Sequence, residues 1–241
     1  CMFIQQILHK PELSKADIVC LLNATGEDME LLFNHAARIK QQYIGNTVHL
    51  RALVELSNSC EKDCYYCGIR KSNSNVHRYS MSEDEVLEAV RFAYENGYGS
   101  VAIQSGEIQS PAFTEKINRI LLKTREMTNG ELGITLSCGE QTEETYRKWM
   151  EAGANRYLLR IETSNPELNR KLHPNDDIHR FERRLEALEM LKKTGYQVGT
   201  GVMIGLPFQT VEDLADDLLF MKNFDIVMCG MGPYIEHHET P

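Results

Sequence analysis

From residue 46 onward, apolar runs of strand length alternate with polar, helix-like segments. The predicted strands lie near residues 48–57, 100–105, 132–137, 155–161, 197–204 and 226–232. Between them, Ser82, Thr142 and Thr210 can each cap a helix, because Ser and Thr hydroxyls accept hydrogen bonds from the first helical turn. The pattern predicts repeating βα units. Right-handed crossovers around a parallel sheet favour a TIM-type β/α barrel, although the spacing alone leaves an open doubly wound sheet as an alternative.

The first 45 residues have helical periodicity instead. Apolar stripes at helical spacing are formed by Ile4, Ile7 and Leu8, by Ile18, Leu21 and Leu22, and by Leu31, Leu32, Ala36 and Ile39. We therefore expect an N-terminal helical segment over residues 1–45 and an α/β barrel core of about six βα units over residues 46–241. Because no helix-like pattern follows the sixth strand, we also expect the chain to be a fragment, truncated at its C-terminal side.

The overall charge argues against some classes of partner. The 241 residues carry a formal net charge of −9, whereas binding to nucleic acid requires clustered Lys and Arg. No apolar stretch approaches the length that spans a bilayer, and the first residues do not form a basic segment followed by an apolar block. The sequence predicts a cytoplasmic protein that binds neither nucleic acid nor membranes.

Three of the seven cysteines form a CxxxCxxC motif, Cys60, Cys64 and Cys67, directly after the first predicted strand. Barrel enzymes keep their catalytic residues at the carboxyl ends of strands. Crowded cysteines in an odd total favour metal ligation over a disulfide framework. Three thiolates suit an iron–sulfur cluster, which normally takes four ligands. The missing fourth ligand would leave one iron open to the amine and carboxylate of S-adenosylmethionine (SAM), so we predict a [4Fe–4S] cluster that binds SAM.

The alternative interpretation is a zinc knuckle or a chance cluster of thiols. Zinc would need a fourth Cys or His nearby, and His77 is the only close candidate, ten residues beyond Cys67. Adjacent histidines in a terminal loop are usually solvated, so His237 and His238 are not predicted as metal ligands. The scattered cysteines are predicted to be mostly buried thiols: Cys1, Cys20, Cys138 and Cys229.

The stretch from Arg51 to Met81 resembles radical SAM enzymes, in particular the HydE-type maturases of [FeFe]-hydrogenase. The similarity continues through QSGE at 104–107, RYLLRIETSNPELNRKLHP at 156–174 and GVMIGLPFQT at 201–210. Methylornithine synthase and biotin synthase belong to the same group. The resemblance implies an enzyme that cleaves SAM reductively to methionine and a 5′-deoxyadenosyl radical, chemistry that belongs to the cofactors.

For the HydE-type maturases, the resemblance implies a small organometallic substrate: a cysteine-bound iron carbonyl cyanide species, made by another hydrogenase maturase. It also implies an electron donor such as a flavodoxin or ferredoxin. The rival enzyme is similar to methylornithine synthase or biotin synthase. An amino-acid substrate would need partners for its ammonium and carboxylate, whereas an organometallic anion needs donors and positive charge. A non-enzymatic zinc-binding or cluster-binding module is the third alternative.

The resemblance further implies a set of residues that bind SAM: Tyr66, Gln104, Ser105, Gly106, Glu107, Ser137, Arg160, Glu162, Arg184 and Met203. In the family, Tyr66 and Met203 would lie near the adenine or elsewhere on SAM, and Glu162 near the ribose. Glu107 would accept the SAM ammonium, and Arg184 would bind its carboxylate through a fork-shaped guanidinium.

Charged residues on the predicted strands can be interpreted either as part of a binding cavity or as ion pairs. Arg160 and Glu162 alternate with apolar residues, so both should point to one side, towards ligands or towards each other as an ion pair. Arg51 and Glu55 indicate a polar cavity, because a strand that is buried on both faces should be almost entirely apolar. Pairing between Arg51 and Glu55 is the alternative, and Ser137 could line the same cavity.

Overall fold

The computed structural model describes residues 4–241. Predictions that concern residues 1–3, including the buried thiol of Cys1, lie outside that range. The strands are β1 (Ala52–Ser57), β2 (Ser100–Ser105), β3 (Gly133–Ser137), β4 (Arg156–Leu158), β5 (Gln197–Ile204) and β6 (Met228–Pro233). The helices are α1 (Ile4–Leu8), α2 (Lys15–Leu22), α3 (Gly26–Tyr43), α4 (Glu83–Glu95), α5 (Pro111–Met127), α6 (Glu143–Glu151), α7 (Pro166–Leu172), α8 (Phe181–Thr194) and α9 (Val211–Phe224).

All six strands form one parallel sheet in the order β1-β2-β3-β4-β5-β6. Each strand therefore pairs with the next strand in the chain, with at least one helix between them. A doubly wound sheet reverses its strand order at a switch point. The uninterrupted order confirms the predicted α/β class and a partial β/α barrel of six strands.

The main core lies between the outer face of the sheet and the helices. Leu56, Ile103 and Leu136 on successive strands are fully buried in it, as are Tyr146 and Trp149 of α6. Because side chains alternate along a strand, the residues between these positions point to the other face, the barrel lumen. That face carries the polar side chains of the predicted site.

The three predicted N-caps are confirmed. Ser82, Thr142 and Thr210 accept hydrogen bonds from the third residue of α4, α6 and α9, respectively. At Ser82 and Thr210 the acidic residue three positions on completes a capping box, because its carboxylate accepts a hydrogen bond from the backbone N–H of the cap residue. Local chemistry therefore sets where these helices begin.

Some predicted boundaries and burials are wrong. The first strand begins at Ala52 rather than residue 48, and the fourth ends at Leu158 rather than residue 161. In the apolar stripe of α3, Leu32 packs against the small cluster of Ile4, Ile7 and Leu21, whereas Ile39 is 47% exposed. Of the scattered cysteines that the structure describes, Cys138 is buried. Cys20 is half-buried, and Cys229 is exposed on β6.

The N-terminal helices contact one another and one helix of the barrel. Ile4 and Ile7 of α1 form a small cluster with Leu21 of α2, and α2 lies against α9. A division of the chain at residue 45 remains a prediction. Among the described residues, no helix combines the length and the apolar character needed to cross a membrane.

Close contact between β5 and β6 generates a stability prediction. A Cβ at Gly201 would lie 1.9 Å from the carbonyl oxygen of Gly230 on the neighbouring strand, whereas a Cβ at Gly232 would meet nothing within 4 Å. We expect Gly201→Ala to lower the free energy of unfolding by about 1–3 kcal/mol, as overpacking does. Gly232→Ala, the matched control, should change it little. Urea unfolding followed by circular dichroism measures both, and equal midpoints for the two variants would refute the contact.

Candidate active site

The loop that carries the three cysteines is tied to the end of β2. The backbone N–H of Glu61 donates to the Glu107 carbonyl at 2.8 Å, and the backbone N–H of Glu107 donates to the Cys60 sulfur at 3.3 Å. Within the loop, the Cys67 N–H donates to the Cys64 carbonyl at 3.1 Å. The motif therefore lies at the carboxyl end of the sheet, where the sequence predicted it.

Gly106 makes this junction possible. A Cβ at residue 106 would lie 2.2 Å from the Ser59 carbonyl oxygen and 2.8 Å from the Cys60 Cβ. Since real Cβ atoms do not approach backbone this closely, any side chain here would push the cysteine loop away from β2. The glycine predicted to line the SAM site thus has a steric role in placing Cys60 next to Glu107.

Cys64 is buried, and Cys60 and Cys67 of the same loop are half-buried. Burial raises the pKa of Cys60 and Cys67, and it raises the pKa of Cys64 to about 12, with further contributions from the other two cysteines. Thiolates in such a position need a compensating positive charge, which bound iron would supply. Over residues 4–241, no group of three or more His, Cys, Asp or Glu side chains is already gathered around a single-ion position.

A buried network of ion pairs lies beside the cysteine loop. Lys62, between the first two cysteines, contacts Glu140 at 3.0 Å and Glu107 at 3.3 Å. Arg184 contacts Glu140 at 2.6 Å through Nε, and its Nη2 lies 3.6 Å from Glu107. Arg183 approaches Glu140 at 3.2 Å. Three cations thus share two carboxylates, which leaves the network with one excess positive charge.

The pKa values of the two carboxylates shift in opposite directions. Burial raises the pKa of Glu107, although Arg184 opposes the shift. Burial alone would also raise the pKa of Glu140, but the charges of Arg184 and Lys62 outweigh it and the pKa is lowered. Glu140 is therefore the firmly ionised partner, and Glu107 is the carboxylate with the weaker compensation.

The network borders a small cavity that is also lined by Cys64, Tyr66, Glu162 and Asn169. The Asn169 side-chain oxygen is buried and accepts no hydrogen bond from residues 4–241. An unsatisfied buried acceptor costs free energy, so a ligand with N–H or O–H donors fits this position. The excess positive charge of the network suits the carboxylate of SAM, and the unused Asn169 acceptor suits its N–H or O–H donors. The three thiols of the adjacent loop suit the iron–sulfur cluster.

Arg160 and Glu162 form the ion pair that was the alternative to ligand binding. They lie just beyond β4, with Arg160 Nε 2.8 Å from Glu162 Oε1. Burial raises the pKa of Glu162 despite Arg160. Glu162 also has a left-handed backbone with φ of 62°, an uncommon conformation for a residue with a Cβ and typical of functional sites. The pairing does not remove Glu162 from the cavity, where its role towards ribose stays a prediction.

Tyr66 and Met203 meet in a small apolar cluster around Leu168, Leu172 and Leu206. The Tyr66 hydroxyl lies 3.2 Å from His173 Nε2, and the two rings are T-shaped with centroids 5.3 Å apart. The structure therefore brings together the two residues predicted to lie near the adenine. An apolar wall beside the cysteine loop is suited to a planar base.

Gln104 and Ser137 line the lumen below this region, whereas Ser105 alternates with Gln104 and lies on the same face of β2 as the core residue Ile103. Gln104 donates to Glu55 at 3.2 Å and pairs in register with Ser137 on β3, while the Ser105 hydroxyl donates to the Gly106 carbonyl. Arg51 does not pair with Glu55, since it donates to Ser100 and contacts Met228. The structure places all ten predicted SAM residues at or just below the carboxyl end of the sheet, and their individual roles stay predictions.

The segment after β6 covers part of the cysteine loop. His237 lies against Gly68, next to Cys67, so closely that a Cβ at Gly68 would be 2.7 Å from its ring. The Glu239 carbonyl and carboxylate accept hydrogen bonds from Arg70 and Asn75, respectively. The expectation of solvated histidines holds for the exposed His238 and is wrong for the half-buried His237.

Sequence reasoning did not assign Lys62, Glu140 or His173 to the site. The available signals were a lysine inside the cysteine motif and a glutamate just after a predicted strand. Each pattern is common on protein surfaces, where charged residues are usual. Only the fold shows that Lys62 and Glu140 are both almost fully buried.

The fold and the site together define a radical SAM enzyme. Residues 54–221 match the family model described as the radical SAM superfamily, and the chain belongs to that family. Its members use a [4Fe–4S] cluster and SAM.

Comparison with individual proteins narrows the relationship. The chain is 47% identical over 212 residues to the [FeFe] hydrogenase maturase subunit HydE of Thermotoga maritima, covering 88% of this chain and 59% of that protein. It is 28% identical to 3-methylornithine synthase of Methanosarcina acetivorans, over 99% of this chain and 67% of that one. The crystal structure of methylornithine synthase superposes with a TM-score of 0.83 at 26% identity, covering 99% of this chain and 69% of the other.

The buried His173 generates a prediction about pH. Its Nδ1 faces the Asn169 carbonyl at 2.8 Å, which requires a proton on Nδ1. Burial, together with the nearby charges of Arg184, His179 and Lys62, lowers the pKa of His173 from 6.5 to about 4. As the pH falls from 6.5 to 4, the unfolded chain therefore binds a proton that the folded protein does not.

Stability should fall over that window, by about 3 kcal/mol at most from this group. His173→Gln, which cannot titrate, is expected to flatten the pH dependence of the unfolding free energy between pH 4 and 6.5. Chemical unfolding of the metal-free wild type and variant at several pH values measures this. The difference at pH 8, where both side chains are neutral, isolates the packing cost. Parallel curves would mean that His173 is not held neutral.

Proposed function

We propose that this chain is the catalytic core of a HydE-type radical SAM maturase. In this function it would cleave SAM reductively to a 5′-deoxyadenosyl radical that acts on a cysteine-bound iron carbonyl cyanide species during [FeFe]-hydrogenase H-cluster assembly. The main support for this proposal is the 47% sequence identity to HydE, compared with 28% identity to 3-methylornithine synthase. The chain spans about three fifths of the length of that HydE, so the activity, substrate and partners of the whole protein form part of this proposal.

Different residues would bind the cluster and the separate parts of SAM. Cys60, Cys64 and Cys67 would hold the cluster, which with SAM supplies the electron transfer and radical chemistry when bound. Arg184 would bind the SAM carboxylate, for which the excess positive charge of the network is suited. Glu107 would accept from the SAM ammonium, and Glu162 from the ribose hydroxyls. Tyr66 and Met203 would cover the adenine and exclude water.

Partners follow from the same proposal. The enzyme would receive electrons from a flavodoxin or ferredoxin and its substrate from another hydrogenase maturase. Methylornithine synthase chemistry is the second candidate, favoured by the TM-score of 0.83 over almost the whole chain. Complementation separates the two: the full-length gene should restore hydrogenase activity to a strain that lacks HydE. Formation of 3-methylornithine by the purified protein, without such rescue, would favour the second candidate.

Cluster assembly gives a direct test of the site. Oxygen-free reconstitution with iron and sulfide is expected to give a brown protein with a [4Fe–4S] signal, and addition of SAM and a reductant should release 5′-deoxyadenosine. Cys64→Ala should lose both, because a cubane held by two thiolates is not retained. Cys20→Ala, a half-buried cysteine on α2, is the matched control and should retain both. A colourless protein that binds zinc would overturn the proposal in favour of a zinc module.

A further inference from the structure

Glu140 is the centre of the buried ion network, although it contacts none of the predicted cluster ligands. It is only 2% exposed, and its carboxylate reaches Arg184, Lys62 and Arg183 at 2.6, 3.0 and 3.2 Å. Lys62 belongs to the cysteine loop, and the two arginines belong to α8. One carboxylate therefore joins the loop that would bind the cluster to the helix that would bind the SAM carboxylate.

The backbone holds Glu140 in place before any ligand binds. Gly139 has φ of 71°, and a Cβ at that position would lie 2.3 Å from Glu107 Cγ, so the turn after β3 requires glycine. The Glu140 N–H donates to Glu107 Oε2 at 2.9 Å, and its carbonyl accepts from Gln109 at 2.8 Å. The next residue, Gln141, donates from its backbone to the Tyr146 hydroxyl at 3.0 Å.

Glu140 also fixes the orientation of the Arg184 guanidinium. Arg184 Nε donates to Glu140 at 2.6 Å, and Nη1 donates to the Arg160 carbonyl at 2.7 Å. Nη2 lies 3.6 Å from Glu107, beyond hydrogen-bond distance. Two of the three nitrogens are thus held by the protein, and the third is left for an anion at the cavity.

We propose that Glu140 is a positioning residue for SAM. Through its contacts with Arg184 and Lys62 it holds Arg184, which would bind the SAM carboxylate, at a fixed position relative to the cysteine loop. This inference rests on the proposed function, because it assumes that SAM is the ligand of Arg184. The alternative is that Glu140 only balances buried positive charge. The two roles separate in a double variant, since charge balance can be restored without restoring the contact to Arg184.

Glu140→Gln keeps the shape of the side chain but leaves three cations with one carboxylate, so it should lower both thermal stability and SAM affinity. Lys62→Met/Glu140→Gln leaves two cations with one carboxylate and regains the original excess of one positive charge. Lys62→Met alone completes the cycle. Glu144→Gln, an exposed residue on α6, is the matched control and should behave as wild type.

The experiment measures the melting temperature of each metal-free variant and the Kd for SAM of each reconstituted protein by anaerobic calorimetry. We expect Glu140→Gln to weaken SAM binding by about tenfold or more, the range for a lost hydrogen bond between charged groups. The double variant should recover most of the melting temperature and retain the weakened binding, while Lys62→Met, which removes the contact to the loop but keeps the Glu140 contact to Arg184, should weaken binding less than Glu140→Gln does.

Recovery of SAM affinity in the double variant would overturn the inference, because charge balance alone would then account for Glu140. Unchanged affinity in Glu140→Gln would overturn it as well. A wild-type protein that forms no cluster, or that does not bind SAM when the cluster is present, would instead refute the proposed function. Iron content measured on every sample separates loss of the cluster from loss of SAM binding.

Discussion

The candidate site depends on burying four charged side chains together. Moving a single charge out of water is costly, and removing one partner of a buried pair leaves the other uncompensated. Here Glu107 and Glu140 lie within 4 Å of Lys62 and Arg184 on other segments. Each charge is therefore acceptable only if the cysteine loop, the ends of β2 and β3 and helix α8 are all in place. The protein can therefore fold stably only when these segments take the positions that form the site.

Parallel strands explain why these segments meet at all. Their carboxyl ends lie at one edge of the sheet, so the loops after β1, β2, β3 and β4 converge although they are far apart in sequence. Gly106 and Gly139 then allow backbone and side chains to approach more closely than a Cβ would permit. The lumen below the site remains polar, because alternate residues of the same strands form the outer core.

The sequence predicted features that depend on local patterns. Strand spacing predicted repeating βα units, capping chemistry located Ser82 and Thr210, and the cysteine spacing predicted a cluster loop. It did not identify Glu140, whose ion-pair partners Arg184 and Lys62 lie 44 and 78 residues away. Periodicity likewise gives the apolar face of α3 but not what lies against it, and Ile39 is exposed in this structure. Properties that arise from distant contacts require the fold.

The network also limits how Glu107 can serve a ligand. A carboxylate offers about four lone-pair positions, and Glu107 already faces Lys62 through one oxygen and the Glu140 N–H through the other. A ligand ammonium can therefore join Glu107 only as a second cation beside Lys62. The extra positive charge is tolerable if the same ligand brings a carboxylate to Arg184, since the two new charges then cancel. An ammonium at Glu107 therefore requires a carboxylate from the same ligand at Arg184, and the α-amino acid group of the methionine part of SAM supplies both.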